Sequence, residues 1–161
     1  MKYSIQSLFI TIAILITLFA CDSNRVYEKN FSFDNKIWRM DSIATFEFNI
    51  GDKKAAYNVY INLRNSVSYP YRNVYITYNL QDSLGNILKK ELVNYELFTR
   101  KTGEPLGESG IGDIYDHQFL ILNSFEFSHK GKYKISFQHY MRSDTLSNIM
   151  AVGTRIEKAL P

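Results

Sequence analysis

One cysteine stands in 161 residues, at position 21. A single cysteine closes no disulfide within the chain, so no disulfide framework holds this fold. Proline is scarce, at three, so little interrupts extended backbone. The histidines, His117, His129 and His139, show neither an HxH nor an HExxH metal spacing. Nowhere do apolar residues run for the ~20 that a membrane-spanning helix needs. Charge is thin and mixed, 19 basic against 16 acidic residues and net +3, too mild to imply either nucleic acid or an acidic membrane surface as partner. Repeats, low-complexity tracts and long blocks of one charge are absent. So is any long stretch with apolar residues at helical spacing.

What is there begins with a leader. Lys2 precedes an apolar run from Leu8 to Ala20, broken only by two threonines. A basic start, an apolar run of ~7–15 residues and a small residue at the cut have the shape of a secretory signal peptide. Leu18-Phe19-Ala20-Cys21 resembles a bacterial lipobox, with Phe19 departing from the usual residue at its position. The expectation is that residues 1–20 are removed and Cys21 is acylated, with palmitate-type chains holding the protein on a membrane. One chain anchors marginally; several on one residue anchor stably. Residues 21–30 then form the lipidated N-terminus and a short tether, polar from Asp22 to Lys29. Residues 31–161 suit one domain of the usual ~100–200 residues.

Within that domain tyrosine and phenylalanine are abundant, 12 and 11, and both favour strands. Period-two alternation dominates. Phe46, Phe48 and Ile50 form one apolar row; Tyr57, Val59, Ile61 and Leu63 form a second; Val74, Ile76, Tyr78 and Leu80 a third. Tyr133, Ile135, Phe137, His139 and Met141 form a fourth, and Met150, Val152, Thr154 and Ile156 a fifth. Gly51–Lys54 and Asp82–Asn86 read as turns, and Leu88–Phe98 as a less cleanly patterned strand. The pattern predicts an all-β, antiparallel β-sandwich, jelly-roll-like, with one wet face on each sheet.

One segment breaks the rhythm. Thr99–Asp116 carries Gly103, Gly107, Gly110 and Gly112, and long connections in compact domains are usually functional or disordered. Its glycines lack both the Walker spacing with its Lys-Ser/Thr ending and the strand–helix setting of a dinucleotide site. Glu108, Asp113 and Asp116 do not match a calcium-loop spacing. No Gly-x-Ser-x-Gly elbow occurs, and nothing singles out Glu96 with Asp113 as the carboxylate pair of a glycosidase. The expectation is a non-enzyme without metal or cofactor.

Two surfaces remain as binding candidates. Tyr60, Arg64, Tyr69, Tyr71, Asn73 and Tyr75 cluster in sequence between residues 57 and 76, and tyrosine and arginine are the side chains enriched in binding hot spots. Tyrosines also stack on sugars, so the alternative expectation is a glycan ligand. The glycine segment, with Gly107, Gly110, Gly112 and Asp113, is the other candidate. Arg142 and Asp144 follow a strand at residues 133–141 and are placed to pair and fix a turn.

Taken in order, Cys21, Tyr57-Asn58-Val59-Tyr60 with Arg64-Asn65, Tyr69-Pro70-Tyr71-Arg72-Asn73, Gly107-x-x-Gly110-x-Gly112-Asp113 and Met141-Arg142-x-Asp144-x-Leu146 resemble the gliding motility-associated lipoprotein GldH family. The resemblance covers nearly all of the chain after the leader. It implies a lipid-anchored envelope protein, membrane-bound through Cys21, with protein partners in a gliding apparatus coupled to type IX secretion. It brings no catalytic residues. Asp22-Ser23-Asn24 lacks the acidic run that resembles surface-export signals in such bacteria, so the expected site is the periplasmic face of the outer membrane.

Overall fold

The computed structural model describes residues 24–160. The expected leader and Cys21 lie outside the described residues. Eleven strands follow in chain order: β1 (Arg25–Ser32), β2 (Ile37–Arg39), β3 (Ala44–Ile50), β4 (Ala56–Ser66), β5 (Asn73–Asp82), β6 (Ile87–Glu96), β7 (Glu108–Ser109), β8 (Ile114–Glu126), β9 (Gly131–His139), β10 (Thr145–Ser147) and β11 (Ile149–Lys158). Five of them form one sheet in the order β1-β11-β4-β8-β7, and four form the other in the order β3-β9-β5-β6. β10 and β2 pair as a small separate ribbon. Every pairing is antiparallel. β3→β4, β4→β5, β6→β7 and β8→β9 pass from one sheet to the other, as the sandwich expectation requires.

Alternation sets the faces. Phe46, Phe48 and Ile50 on β3, the Tyr57 to Leu63 row on β4, the Val74 to Leu80 row on β5 and Tyr133, Ile135 and Phe137 on β9 are buried between the sheets. A one-residue slip would turn each row to water, so burial fixes the register. β6 is less cleanly patterned because it is an edge strand with most of its residues exposed. In β11 the alternation holds for Val152, Thr154 and Ile156, whereas Met150 is only half-buried where a bulge interrupts the pairing with β4.

Besides the β2–β10 ribbon, which no alternation announces, three segments differ from the sequence reading. The polar stretch taken as a tether is, from Arg25 onward, strand β1, paired to β11 from Glu157 to Ala151. It reads as a tether because its residues are exposed except for the half-buried Tyr27; an edge strand lying on a sheet has few apolar residues to announce it. β8 has no counterpart among the expected strands. Its register shifts twice against β4, and Phe119-Leu120-Ile121-Leu122 is a continuous apolar run without period two. The glycine segment is less open than expected. Phe98 bridges Pro105, and β7 pairs with the start of β8.

The two ends of the sandwich differ. At one end lie Asn24, the turns at 51–55, 82–86 and 127–130, and the end of β11. At the other lie the connections 67–72, 97–107, 110–113 and 140–144, with the β2–β10 ribbon. The chain therefore enters at the end of short turns.

Candidate functional site

The outward face of the five-stranded sheet is concave and encloses about 580 Å³. Cross-strand register builds it in rows. Asn30 on β1, Gly153 on β11, Asn62 on β4 and Gln118 on β8 stand side by side; Ser32, Ala151, Arg64, Asp116 and Glu108 form the next row. Gly153 makes the floor. A Cβ there would stand 2.6 Å from the Lys29 carbonyl oxygen and collide with the Asn30 side chain, so only glycine lets β1 lie against β11.

The polar groups of this face pair with one another. Arg64 donates to both carboxylate oxygens of Asp116, at 2.7 and 2.9 Å, and the Asp116 hydrogen bond raises the guanidinium pKa. Gln118 donates to Asn62 at 3.0 Å, and Asn62 to Glu28 at 3.2 Å. Arg155 joins Glu28 at 3.2 Å and Glu157 at 3.0 Å. The Tyr60 hydroxyl donates to Glu157 at 2.7 Å. Burial, then the Glu157 carboxylate, pushes the Tyr60 pKa up. The hydrogen-bonding groups of this face are carboxylates, carboxamides, guanidinium groups and the Tyr60 hydroxyl, each engaged with a neighbour on the same face.

His117 lies behind this face. It is opposite Leu63 in register and so points between the sheets, where it is 6% exposed. Its ring stacks on Phe119 at 5.6 Å, and Phe119 stacks on Tyr95 of the other sheet at 4.0 Å. Its Nε2 has no hydrogen-bond partner. Burial drives its pKa down to about 4, against a small opposing pull from Asp116. It is a neutral packing group. His139 is fully buried, edge-on to Trp38 at 5.3 Å. Burial lowers its pKa too, against the nearby backbone of Trp38 and Asp144. Among the described residues no three His, Cys, Asp or Glu side chains converge on a metal site.

The structure separates the candidate residues. Tyr60 and Arg64 belong to the concave face. Asn73 and Tyr75 lie on β5, on the outward face of the opposite sheet, where Asn73 donates to Asn94 at 2.6 Å. Tyr75 is 40% exposed there, directly beside Tyr140 at 65%. Tyr140 donates its amide to the Tyr75 carbonyl at 2.7 Å. Tyr140 is the partner that spacing alone did not bring to Tyr75; only strand pairing does. Tyr69 is 5% exposed and plugs the β4–β5 connection, donating to the Asn73 carbonyl at 3.2 Å. Its ring meets the exposed Tyr71 edge-on at 5.7 Å.

The glycines shape a hairpin. A Cβ on Gly107 would stand 2.7 Å from the Asp116 carbonyl oxygen and 2.8 Å from the His117 ring. Gly110 donates to the Ile114 carbonyl at 2.8 Å, and Gly112 has φ +73, a conformation glycine adopts freely. The Asp113 carbonyl accepts the Val67 amide at 2.8 Å, tying the hairpin to the β4–β5 connection. Its tip carries Ile111, 94% exposed. Arg142 and Asp144 form no salt bridge. The Asp144 carbonyl instead accepts the Met40 amide at 2.8 Å, and Arg39 pairs with Asp41 at 3.0 Å.

Together these features define an all-β sandwich domain with a self-paired polar face and an apolar hairpin tip. A model of the GldH lipoprotein family matches residues 25–156, and the chain belongs to that family of gliding-motility lipoproteins. It is 33% identical over 160 residues to a gliding motility lipoprotein GldH homolog of Christiangramia forsetii, covering 95% of this chain and 96% of that one. It is 29% identical over 150 residues to the gliding motility lipoprotein GldH of Flavobacterium johnsoniae, covering 89% and 91%. Among solved structures, a 4-O-methyl-alpha-glucuronidase with specificity for decorated arabinogalactans aligns at TM-score 0.45 and 12% identity. That alignment covers 81% of this chain and 18% of the enzyme.

Proposed function

We propose that this protein is a non-enzymatic, lipid-anchored support for the gliding apparatus and its associated type IX secretion machinery. Acylated Cys21 holds it on the outer membrane, facing the periplasm, and the sandwich binds a protein partner. The observation that carries this reading is the placement of the hairpin tip. Ile111 stands exposed at the end opposite the one where the chain enters, so an anchored domain presents it to the surroundings. Exposed Leu106, Val67 and Tyr71 belong to the same end. Several exposed apolar side chains at one end, rather than a single one, are the kind of surface that a partner removes from solvent.

The test combines lipid labelling with affinity capture from membranes. The wild-type chain should carry lipid on Cys21 and bring down motility or secretion components. Cys21→Ala should lose the lipid and the membrane. Ile111→Asp should keep both and lose the partner, and cells carrying it should stop gliding. Capture of the same proteins by Ile111→Asp would remove the tip from the reading.

A second reading, a glycan-binding envelope lipoprotein, is favoured by the exposed side chains of Tyr75 and Tyr140, whose backbones are hydrogen-bonded neighbours on one outward face. Tyr75→Ala should abolish calorimetric binding to an envelope polysaccharide. A flat titration of the wild-type chain across a glycan panel removes this reading.

A further inference from the structure

The end of the sandwich where the described chain begins carries lysines that the fold does not use. Asn24 is fixed there, its carbonyl accepting the Lys158 amide at 2.9 Å; beside it the Ala159 amide reaches the Ala56 carbonyl at 2.9 Å. Around this point lie Lys53 and Lys54 in the turn before β4, Lys130 and Lys132 at the start of β9, and Lys158 itself. All five are exposed. Every salt bridge between described residues uses an arginine, and none of these lysines has one.

The five lysines outnumber the four acids of the same end, Asp52, Asp82, Glu126 and Glu157, and Glu157 is paired with Arg155. Asp52 accepts the Lys54 amide at 3.0 Å and Asp82 the Leu84 and Asn86 amides at 2.9 Å. Glu157 also accepts the Tyr60 hydroxyl, and Glu126 is exposed. Between the lysines stand apolar side chains in the open: Leu84 at the tip of the β5–β6 hairpin is 86% exposed, Leu160 is 75% and Ile87 is 58%.

Free ammonium groups around exposed leucines match one kind of surface. Anionic lipid headgroups attract lysines, each charge shifting binding by about fivefold near the surface, and a leucine tip is stabilised where headgroups meet acyl chains. Lysine stems lie along apolar surface while the ammonium stays with the phosphates. We propose that this end docks on an anionic phospholipid surface, with Leu84 seated at the headgroup boundary. The proposal takes its distance from the acylation reading. From Cys21 to Asn24 the chain spans at most ~11 Å when fully extended, close to the ~8 Å Debye length at physiological salt, so an anchored chain holds its lysines within reach of the surface charge. Docking then fixes the orientation and points the Ile111 end away from the membrane.

The test uses the chain from Cys21 to Pro161 with its one thiol coupled to a maleimide lipid, so that it does not depend on acylation in cells. Vesicles are phosphatidylcholine alone or phosphatidylcholine mixed with phosphatidylglycerol. A water-soluble amine-reactive reagent then labels lysines, read by mass spectrometry. On anionic vesicles Lys53, Lys54, Lys130, Lys132 and Lys158 should be protected roughly fivefold relative to neutral vesicles. Lys36 and Lys101, exposed at the opposite end, should label equally on both. Molar salt should erase the difference, and Leu84→Ser should reduce it. Equal labelling of the two lysine sets on anionic vesicles overturns the proposal. The mass of the Cys21 peptide from cell membranes separately decides whether the native chain is acylated.

Discussion

Where the chain enters, the connections are short and locked by tyrosine hydroxyls: Tyr57 donates to the Asp52 carbonyl at 2.7 Å and Tyr133 to the His129 carbonyl at 2.8 Å. At the opposite end the connections are long and fastened to one another. The Val67 amide reaches Asp113, Leu97 reaches Arg72, and Asn148 donates to Ser68 at 3.0 Å. The first end carries five unpaired lysines; the second carries Arg64, Arg72 and Arg100, each paired with a carboxylate, beside only two unpaired lysines, Lys36 and Lys101. Tight turns over a charged rim make a base. Long connections fastened through backbone groups hold an apolar tip in place at the other end, the proposed contact end. The difference is one of connection length and charge, on strands that run unbroken between both ends.

Each end is closed by buried aromatics, and removing them is the strongest way to test whether the ends are equally firm. Trp38, fully buried, stacks on Phe33 at 5.2 Å and donates its indole N–H to the Ser42 carbonyl at 2.9 Å. Phe127, 1% exposed, packs on Phe48, Tyr57, Phe125 and Tyr133. Trp38→Ala and Phe127→Ala should each cost about 3–5 kcal/mol in denaturant unfolding. A cost below about 1 kcal/mol for Trp38→Ala alone would mean that the contact end is not closed by its aromatic core.

Acid should act on the contact end first. The folded-state pKa of His117, about 4, lies below its ordinary 6.5, so the unfolded chain takes up the proton more readily. Stability is full above pH 6.5, falls as pH drops towards 4 and levels off below. The His117 share is on the order of 3 kcal/mol, and the buried His139 adds in the same direction. Stability measured by denaturant at a series of pH values should show this slope, and His117→Phe should shrink it. An unchanged slope would place the acid-sensitive group elsewhere.

A smaller loss is expected from Gly107→Ala. Neither of the two near neighbours of the added Cβ is a free side-chain end: one is the Asp116 backbone and the other a histidine ring already packed on Phe119. Overpacking of this kind costs about 1–3 kcal/mol. Amide exchange in β7 and at the start of β8 should rise, while the turns at 51–55 and 82–86 stay as protected as in the wild type. Exchange that rises equally at both ends would erase the distinction between them.

Much of this sandwich was legible in the sequence where one face is dry and the other wet. β3, β4, β5 and β9 alternate because each lies between a core and water, and their buried rows are the rows that period two predicts. β1 and β8 escaped for opposite reasons. β1 is an edge strand with little to bury, so its composition is that of a linker. β8 carries bulges that break the period, so its apolar residues run together. The candidate surface suffered from the same limit. Tyr60, Arg64, Asn73 and Tyr75 lie within 16 positions of one another, but β4 and β5 belong to different sheets, and the outward faces of a sandwich look in opposite directions. Sequence distance is informative within a hairpin and misleading across a connection that changes sheets. The partners of Arg64 and Tyr75, Asp116 and Tyr140, are remote in sequence and adjacent through pairing.

The smallest expected effect concerns the charge difference itself. Arg64 and Asp116 make a bidentate pair, yet their side chains are 50% and 43% exposed. Water and salt screen such a pair, so it should add less than ~1 kcal/mol. Asp116→Asn should therefore barely move the unfolding midpoint, and what it does move should vanish in molar salt. If the loss is instead several-fold larger and persists in salt, the concave face derives firmness from its ion pairs. The arginines of the contact end would then be structural fasteners rather than a surface arranged to meet something else. A near-zero loss leaves the opposite meaning: the pair is free to exchange partners, and a ligand carboxylate or hydroxyl that displaces Asp116 from Arg64 does so at little cost to the fold. The lysines of the entry end have no such partner to give up, so a charge reversal there should reduce the proposed protection on anionic vesicles and leave unfolding untouched.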